Sequence, residues 1–215
     1  TLLQKALAKI DYSEIRKQQA AERKNGRLLG IGVVVGLEPG GRNAARDMAL
    51  FPDSKNIPGA GGVEGATIKL ERTGRVAITL GTPSCGQAHE TAAAQIVAEV
   101  LQLSPEHIGV AGPFDSAISP WGVSSTNSGN NFHLYDVGAV NGAATKLKEK
   151  ILVLAAHLLR STTERLEMAD GMVKDTTTGE TIGFSELAKV AYTNQARLPK
   201  GFEPGLQATY YHSFP

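Results

Sequence analysis

One turn, at residues 82–91, carries the residue types best suited to binding a polar ligand. It reads Thr-Pro-Ser-Cys-Gly-Gln-Ala-His-Glu-Thr and lies between a strand-like run at 75–80 and a helix-like run at 92–101. A helix that begins directly after a short turn presents unpaired backbone N–H groups and the positive end of its dipole. These groups suit an anionic or amide-rich ligand, and the Gln87 side chain adds amide donors and an acceptor. The sequence therefore predicts a site for a polar heterocycle or a phosphate group at this turn.

Two other chemistries are open at the same turn on the sequence alone. Cys85 is the only cysteine in the chain, and a helix start lowers the pKa of a thiol, so Cys85 could be a nucleophile with His89 as its base. Activity retained after Cys85→Ala would remove that hypothesis. His89 and Glu90 could hold a metal ion, but adjacent side chains point in different directions and a zinc site needs three or four ligands. The other histidines show no metal-ligand spacing, so no metal ligand is assigned, and His133 is the better candidate for a functional histidine.

Composition limits the kinds of partner. The chain has 215 residues, 41% of them hydrophobic, and a formal net charge of +1. The nearly balanced charge, with no long Lys/Arg run, gives little support for nucleic-acid binding. A single cysteine excludes an internal disulfide framework, and no apolar run approaches the roughly 18 residues of a membrane span. We therefore expect a cytoplasmic protein that binds a small molecule.

Hydrophobic periodicity predicts the elements that position the turn. Helices are expected at 11–24, 92–101, 137–161 and 185–193, and strands at 27–37, 63–70, 75–80, 107–111, 166–170, 172–175, 180–183 and 207–211. The fold class is α+β, with mixed sheets and packed helices. Two long loops, at 38–62 and 114–136, are expected to contact a cofactor or partner chains.

Both ligand-like loops precede helices, at residue 92 and at residue 137. If those helices pack side by side, their two N-termini converge on one ligand, an arrangement that suits a phosphate-bearing cofactor. The alternative is a pair of ordinary strand–helix turns.

In their order, these elements resemble the molybdopterin-binding part of the large subunit of the molybdenum hydroxylases. That family includes xanthine dehydrogenases, aldehyde oxidoreductases and aerobic carbon monoxide dehydrogenases. The residues that carry the resemblance lie at 25–32, 86–91, 94–96 and 142–144. The resemblance runs nearly end to end but covers only about a quarter of a typical large subunit. It implies that residues 1–215 are a partial molybdopterin-binding domain, either a fragment or a naturally split subunit.

The resemblance implies a cofactor and the residues that contact it. The implied cofactor is molybdopterin with molybdenum, either in the cytosine dinucleotide form, which is favoured, or in its shorter form. In the second loop, counting back from Gly142 selects residues 133–137, whereas counting forward from 120–122 selects 124–128; a helix start is a rigid anchor, so the first register is favoured. The expected cofactor-binding residues are Cys85, Gly86, Gln87, Ala88, His133, Leu134, Tyr135, Asp136 and Val137.

Ala88 departs from the family pattern, which usually has glycine at this position. If the position needs a positive φ, alanine costs roughly 1 kcal/mol there. The local backbone is therefore expected to differ from that of the relatives.

The resemblance also implies an activity and partners. The family oxidatively hydroxylates an aldehyde, an N-heterocycle or a similar small substrate with water as the oxygen source. Electrons leave through 2Fe-2S and FAD groups on an iron–sulfur subunit and a flavin subunit, and the whole is expected to be a dimer of heteromers. The glutamate base of the family does not occur in this chain, so no catalytic residue is assigned and the chain alone is expected to be inactive, needing the remainder of the large subunit. The alternative is a non-catalytic cofactor-binding or assembly module.

Overall fold

The chain divides into two units, residues 1–37 and residues 38–215. The computed structural model describes residues 1–36, 63–111, 114–122 and 130–213. The predicted loop at 38–62 and the alternative cofactor segment at 124–128 lie outside the described residues.

The first unit contains two helices, α1 (Leu2–Lys9) and α2 (Tyr12–Lys24). The Asp11 side chain caps α2 by accepting from the Glu14 N–H, which confirms the predicted helix. The helix α1, capped by Thr1, was not predicted.

The buried strand predicted at 27–37 is wrong over its described part. Residues 27–36 form neither strand nor helix, and Val34 is 93% exposed. A strand needs a neighbouring strand for its backbone N–H and C=O groups, and residues 1–36 contain no other strand. Apolar composition alone therefore did not determine the structure of this segment.

The second unit holds the rest of the described secondary structure. Its strands are β1 (Val63–Leu70), β2 (Val76–Leu80), β3 (Ile108–Val110), β4 (Leu166–Ala169), β5 (Met172–Asp175), β6 (Thr181–Gly183) and β7 (Gln207–Ser213), and its helices are α3 (His89–Leu101), α4 (Asn131–Leu134), α5 (Asp136–Leu159) and α6 (Phe184–Thr193).

The larger sheet has the strand order β3-β2-β1-β7. The strand β3 runs parallel to β2, and the other two pairings are antiparallel. On β1, alternate residues Ala66, Ile68 and Leu70 are fully buried, as expected for a strand with one face on a core. The helices α3 and α5 pack against each other, and α5 also packs on β1 and β7.

The smaller sheet is an antiparallel meander, β4-β5-β6. Val173 and Ile182 face the shared core, as do Phe184 and Leu187 of α6. Mixed pairing in one sheet, a separate antiparallel sheet and packed helices confirm the α+β class.

Two glycines allow α5 to lie close to β7. A Cβ atom at Gly138 would overlap the His212 ring, and one at Gly142 would overlap the Tyr210 ring. Four residues of helix advance about 6 Å and two residues of strand about 6.8 Å, so each glycine meets one alternate β7 side chain. This match fixes the position of the α5 N-terminus above the sheet.

Among the described residues, no helix is both long enough and apolar enough to cross a membrane.

Candidate functional site

The turn before α3 is held together by its own side chains. The Cys85 N–H donates to Gln87 Oε1 at 2.6 Å, and the Gly86 N–H donates to Ser84 Oγ at 3.3 Å. Gly86 has a φ of 99°, and among the described residues no atom beyond its own chain neighbours lies within 4 Å of the place where a Cβ would be. Cys85, Gly86, Gln87 and Ala88 are all exposed. The turn is therefore an exposed loop that is held by its own hydrogen bonds.

The N-terminus of α3 has no side-chain cap. Its N-cap residue, Ala88, adopts a left-handed conformation with φ 61° and ψ 42° and has no side-chain oxygen to offer. The first N–H groups of a helix have no partner within the helix. At α3 these donors and the positive end of the helix dipole adjoin the exposed turn, as the sequence predicted.

A ring stack joins the starts of the two helices. The ring of His89, the first residue of α3, lies 3.8 Å from the Phe132 ring with an angle of 8° between their planes. Phe132 belongs to α4, which leads through Tyr135 into α5. The N-termini of α3 and α5 therefore lie close together. This is the arrangement in which two helix N-termini can bind the same ligand.

His89 is itself unusual, because it is a buried polar residue. Only 4% of it is exposed, and among the described residues its buried Nδ1 atom has no hydrogen-bond partner. Burial lowers the pKa of His89, partly opposed by the charge of Glu90. A neutral imidazole is thus favoured beside the turn.

The second predicted segment is divided between surface and interior. His133 is exposed, whereas Leu134 and Val137 are half-buried. Tyr135 and Asp136 are buried, with 3% and 0% of their surface exposed. His133 therefore lies at the surface beside the convergence of the helices, while the other four are inside or at the edge of the core. Their assignment as cofactor contacts stays a prediction.

Asp136 forms part of a buried carboxyl pair that sequence analysis missed. Burial, and then the charge of Glu64, raise the pKa of Asp136 to about 8, with a smaller opposing effect from its own backbone N–H. Glu64 is 1% exposed. The sequence did indicate that Glu64 is buried, because it occupies the same face of β1 as three apolar residues at 66, 68 and 70.

The alternative chemistries of the turn have no structural support. Within the described residues, no hydrogen bond joins the exposed Cys85 thiol to the buried His89. The same residues contain no group of three or more His, Cys, Asp or Glu side chains placed to hold a metal ion.

Comparisons with known proteins identify the family of this chain. Residues 5–214 match the family model of the molybdopterin cofactor-binding domain. The chain is 32% identical over 207 residues to the nicotine 6-hydroxylase large subunit of Paenarthrobacter nicotinovorans, covering 93% of this chain and 24% of that protein. It is 30% identical to the carbon monoxide dehydrogenase large chain of Hydrogenophaga pseudoflava, covering 100% of this chain and 26% of that protein.

A solved structure is similar as well. The quinoline 2-oxidoreductase of Pseudomonas putida 86 superimposes with a TM-score of 0.68 at 28% identity, covering 96% of this chain and 25% of that one. The chain thus spans about a quarter of the length of the relatives that it matches.

The residues present fit a pterin that carries phosphate groups. The exposed turn and the uncapped N-terminus of α3 supply backbone donors, and the His89 Nδ1 atom is a buried polar group that still lacks a partner among the described residues. With a family model that matches nearly the whole chain, these features lead to one conclusion: the chain belongs to the molybdopterin cofactor-binding domain family.

Proposed function

We propose that this chain is the cofactor-binding part of the large subunit of a molybdenum hydroxylase. The observation that carries the proposal is the self-bonded turn at 84–88, exposed and placed directly before the uncapped N-terminus of α3. The convergence of this N-terminus with that of α5, through the His89–Phe132 stack, supports it.

The role of each part of the turn follows from its bonding. Gln87 Oε1 accepts inside the turn, so a ligand acceptor would be met by the Nε2 end of this side chain. Gly86 allows close approach of a ligand to the backbone, because no side chain of the described residues lies within 4 Å of its Cβ position. The N–H groups at the α3 start would receive phosphate or ring oxygens. When bound, the cofactor supplies two-electron redox chemistry at its molybdenum, which none of these side chains can provide.

The cofactor form, the substrate class and the partners are proposed from the resemblance to the relatives. Relatives are named as a nicotine 6-hydroxylase large subunit and a carbon monoxide dehydrogenase large chain. We propose the cytosine dinucleotide form of the cofactor, oxidative hydroxylation of a small substrate such as an N-heterocycle or aldehyde, and a cytoplasmic complex. The proposed partners are the remainder of the large subunit, a 2Fe-2S subunit and an FAD subunit, arranged as a dimer of heteromers.

Cofactor retention tests the proposal. The complex containing this chain would be purified, and its molybdenum, pterin and released nucleotide measured. Gln87→Glu removes the Nε2 donor and adds a negative charge beside a phosphate-bearing ligand. We expect at least a tenfold loss of bound pterin, the scale of losing one charge-assisted contact of about 1.4 kcal/mol or more.

Gln95→Glu is the matched control, because it makes the same change at an exposed position of α3 away from the turn. It should retain pterin at the level of the unaltered protein. Equal retention by the two variants would place the cofactor elsewhere, and a complex without molybdenum or pterin would refute the function. Turnover by the isolated chain with an artificial electron acceptor would overturn the expectation that it is inactive alone.

A further inference from the structure

The helix α5 packs on the two strands, β1 and β7, that carry Glu64 and His212. Glu64 and His212 are directly opposed on the antiparallel strands β1 and β7, so their side chains lie on the same face of the sheet. The His212 ring contacts α5 at Gly138. Asp136 precedes Gly138 by two residues, and the charge of Glu64 acts on it directly.

The Glu64 carboxylate is shielded from solvent by neighbouring backbone. A Cβ atom at Gly122 would overlap its two carboxylate oxygens, and one at Gly81 would lie 3.0 Å from Oε2. Gly81 directly follows β2 and leads into the turn at residues 82–91, which is called the cofactor turn below. Next to Gly122, the Trp121 ring stacks on Tyr211 of β7 at 4.5 Å, which anchors this segment to the sheet. Glu64 therefore lies where the sheet, the 120–122 segment and the cofactor turn meet.

Asp136 is enclosed more completely. It is 0% exposed, and both of its carboxyl oxygens are buried without a hydrogen-bond partner among the described residues. A buried carboxylate with no partner is strongly unfavourable, whereas a neutral carboxylic acid is much less so and can donate a hydrogen bond. Two adjacent buried carboxyl groups commonly hold one proton because both cannot ionise together.

We propose that Glu64 and Asp136 share one proton at neutral pH and act as a positioning pair that holds the first turn of α5 on β1. The pair is distinct from the cofactor turn. Its proposed effect on the cofactor is to fix the position of the α5 N-terminus, and that last step rests on the proposed function.

Among the described residues, the other titratable groups on the neighbouring elements include three histidines. On β7 the neighbouring group is His212, which is half-buried against Gly138. On α3 it is His89, whose ring is occupied by the stack on Phe132. His133, on α4, is exposed. Glu64 is the group whose charge acts on the ionisation of Asp136.

The sign of the pH dependence follows from the raised pKa of Asp136. Between its ordinary pKa of 3.8 and about 8 in the folded chain, the folded state holds a proton that the unfolded state has released. Stability therefore falls as pH rises through this window, and the unfolding equilibrium constant rises by up to about tenfold per pH unit. Above pH 8 this contribution levels off.

The test combines infrared spectroscopy with urea unfolding from pH 6 to pH 9. At pH 7 the unaltered protein should show the C=O stretching band of a protonated carboxylic acid, and Asp136→Asn should lack it. Asp136→Asn should also lose the steep pH dependence while remaining folded, since an amide can still donate a hydrogen bond. Glu149→Gln, on an exposed position of the same helix, should behave like the unaltered protein.

Glu64→Gln separates a proton-sharing pair from a carboxyl group that is merely buried. With the neighbouring charge removed, the infrared titration of Asp136 should move to lower pH. An unchanged titration in Glu64→Gln, no protonated band at pH 7, or the same pH dependence in Asp136→Asn would each overturn the proposal.

These readouts need no bound cofactor, so they stand apart from the proposed function. A protein without pterin that shows the protonated band would refute the function and keep the pair. A protein that retains pterin but lacks the band would refute the pair and keep the proposed function. Where pterin is bound, its retention should fall as pH rises through 8, and Asp136→Asn should reduce that fall.

Discussion

Ala88 adopts a left-handed backbone conformation, with a φ of 61°, at the residue directly before α3. Alanine pays about 1–2 kcal/mol for this region, where glycine has no penalty. The sequence predicted such a cost if the position required positive φ, and the structure confirms that it does. Ala88 therefore adopts a conformation that glycine would favour, at the expense of strain, and the expected difference from the backbone of the relatives remains a prediction.

Substitution of Ala88 by glycine should therefore stabilise the chain. Removing the strain is partly offset by the greater freedom of glycine in the unfolded state, so we expect a gain of about 0.5–1 kcal/mol. Urea unfolding measures it. Ala92→Gly, inside α3, is the control and should cost about 1 kcal/mol; a loss of stability in Ala88→Gly as well would show that the strain is absent.

The turn and the two carboxyl groups differ in how readily a sequence reveals them, and the cofactor-binding residues named from the sequence remain a prediction. Gly86 and Gln87 were recognisable because a glycine-containing turn before a helix has a local signature. Glu64 and Asp136 were not recognised as a pair, because they are far apart in sequence and meet only when α5 packs on β1. Such pairings depend on tertiary packing, which periodicity does not reveal.

The position of α5 depends on two residues that have no side chain. Leu147, Ile151 and Leu154, which lie on one face of the helix, are fully buried, in accord with its prediction from hydrophobic periodicity. On the side that faces β7, Gly138 and Gly142 leave room for two rings. The helix start is thus fixed by close approach of backbone to side chain.

Alanine at Gly138 should disturb this contact. Helix propensity would gain about 1 kcal/mol, but the added methyl group overlaps the His212 ring, and overpacking of this kind costs about 1–3 kcal/mol. We therefore expect a net loss of up to about 2 kcal/mol in urea unfolding. Asn141→Ala, at an exposed position of the same helix, gains propensity without a clash and should be neutral or stabilising; equal stability of the two variants would contradict the close approach.

Elements with a local pattern were predicted well, and an element that needs a distant partner was not. The hairpin of β1 and β2 was predicted within a residue or two, because its strands and turn are adjacent in sequence. Residues 27–36 have the apolar composition of a strand but no regular structure. Hydrophobicity indicates that a segment can be buried, but only pairing makes it a strand.

At the scale of the whole molecule, the buried hydrophobic cluster belongs entirely to the second unit. Its members run from Ala66 to Leu206, whereas neither α1 nor α2 contains a buried residue. The stability of the sheets and of the site helices should therefore arise within residues 38–215.

Deletion of residues 1–37 tests this division. Residues 38–215 should still unfold in one cooperative transition, with a urea midpoint close to that of residues 1–215. The contrasting deletion, of 207–215, removes β7 and exposes the edge of β1, so it should abolish that transition. A gradual transition after the first deletion would show that the two units depend on each other for stability.

The position of β7 in the sheet also has a kinetic consequence. Thr67 of β1 and Thr209 of β7 share a hydrogen bond across 142 residues of sequence, whereas β1 and β2 are joined by a short turn. Such a hairpin can form within microseconds, but closing a long loop is entropically slow. Refolding should therefore proceed through a collapsed intermediate in which the β1 edge awaits its last strand, and during synthesis that edge is open to pairing with other chains until β7 has left the ribosome.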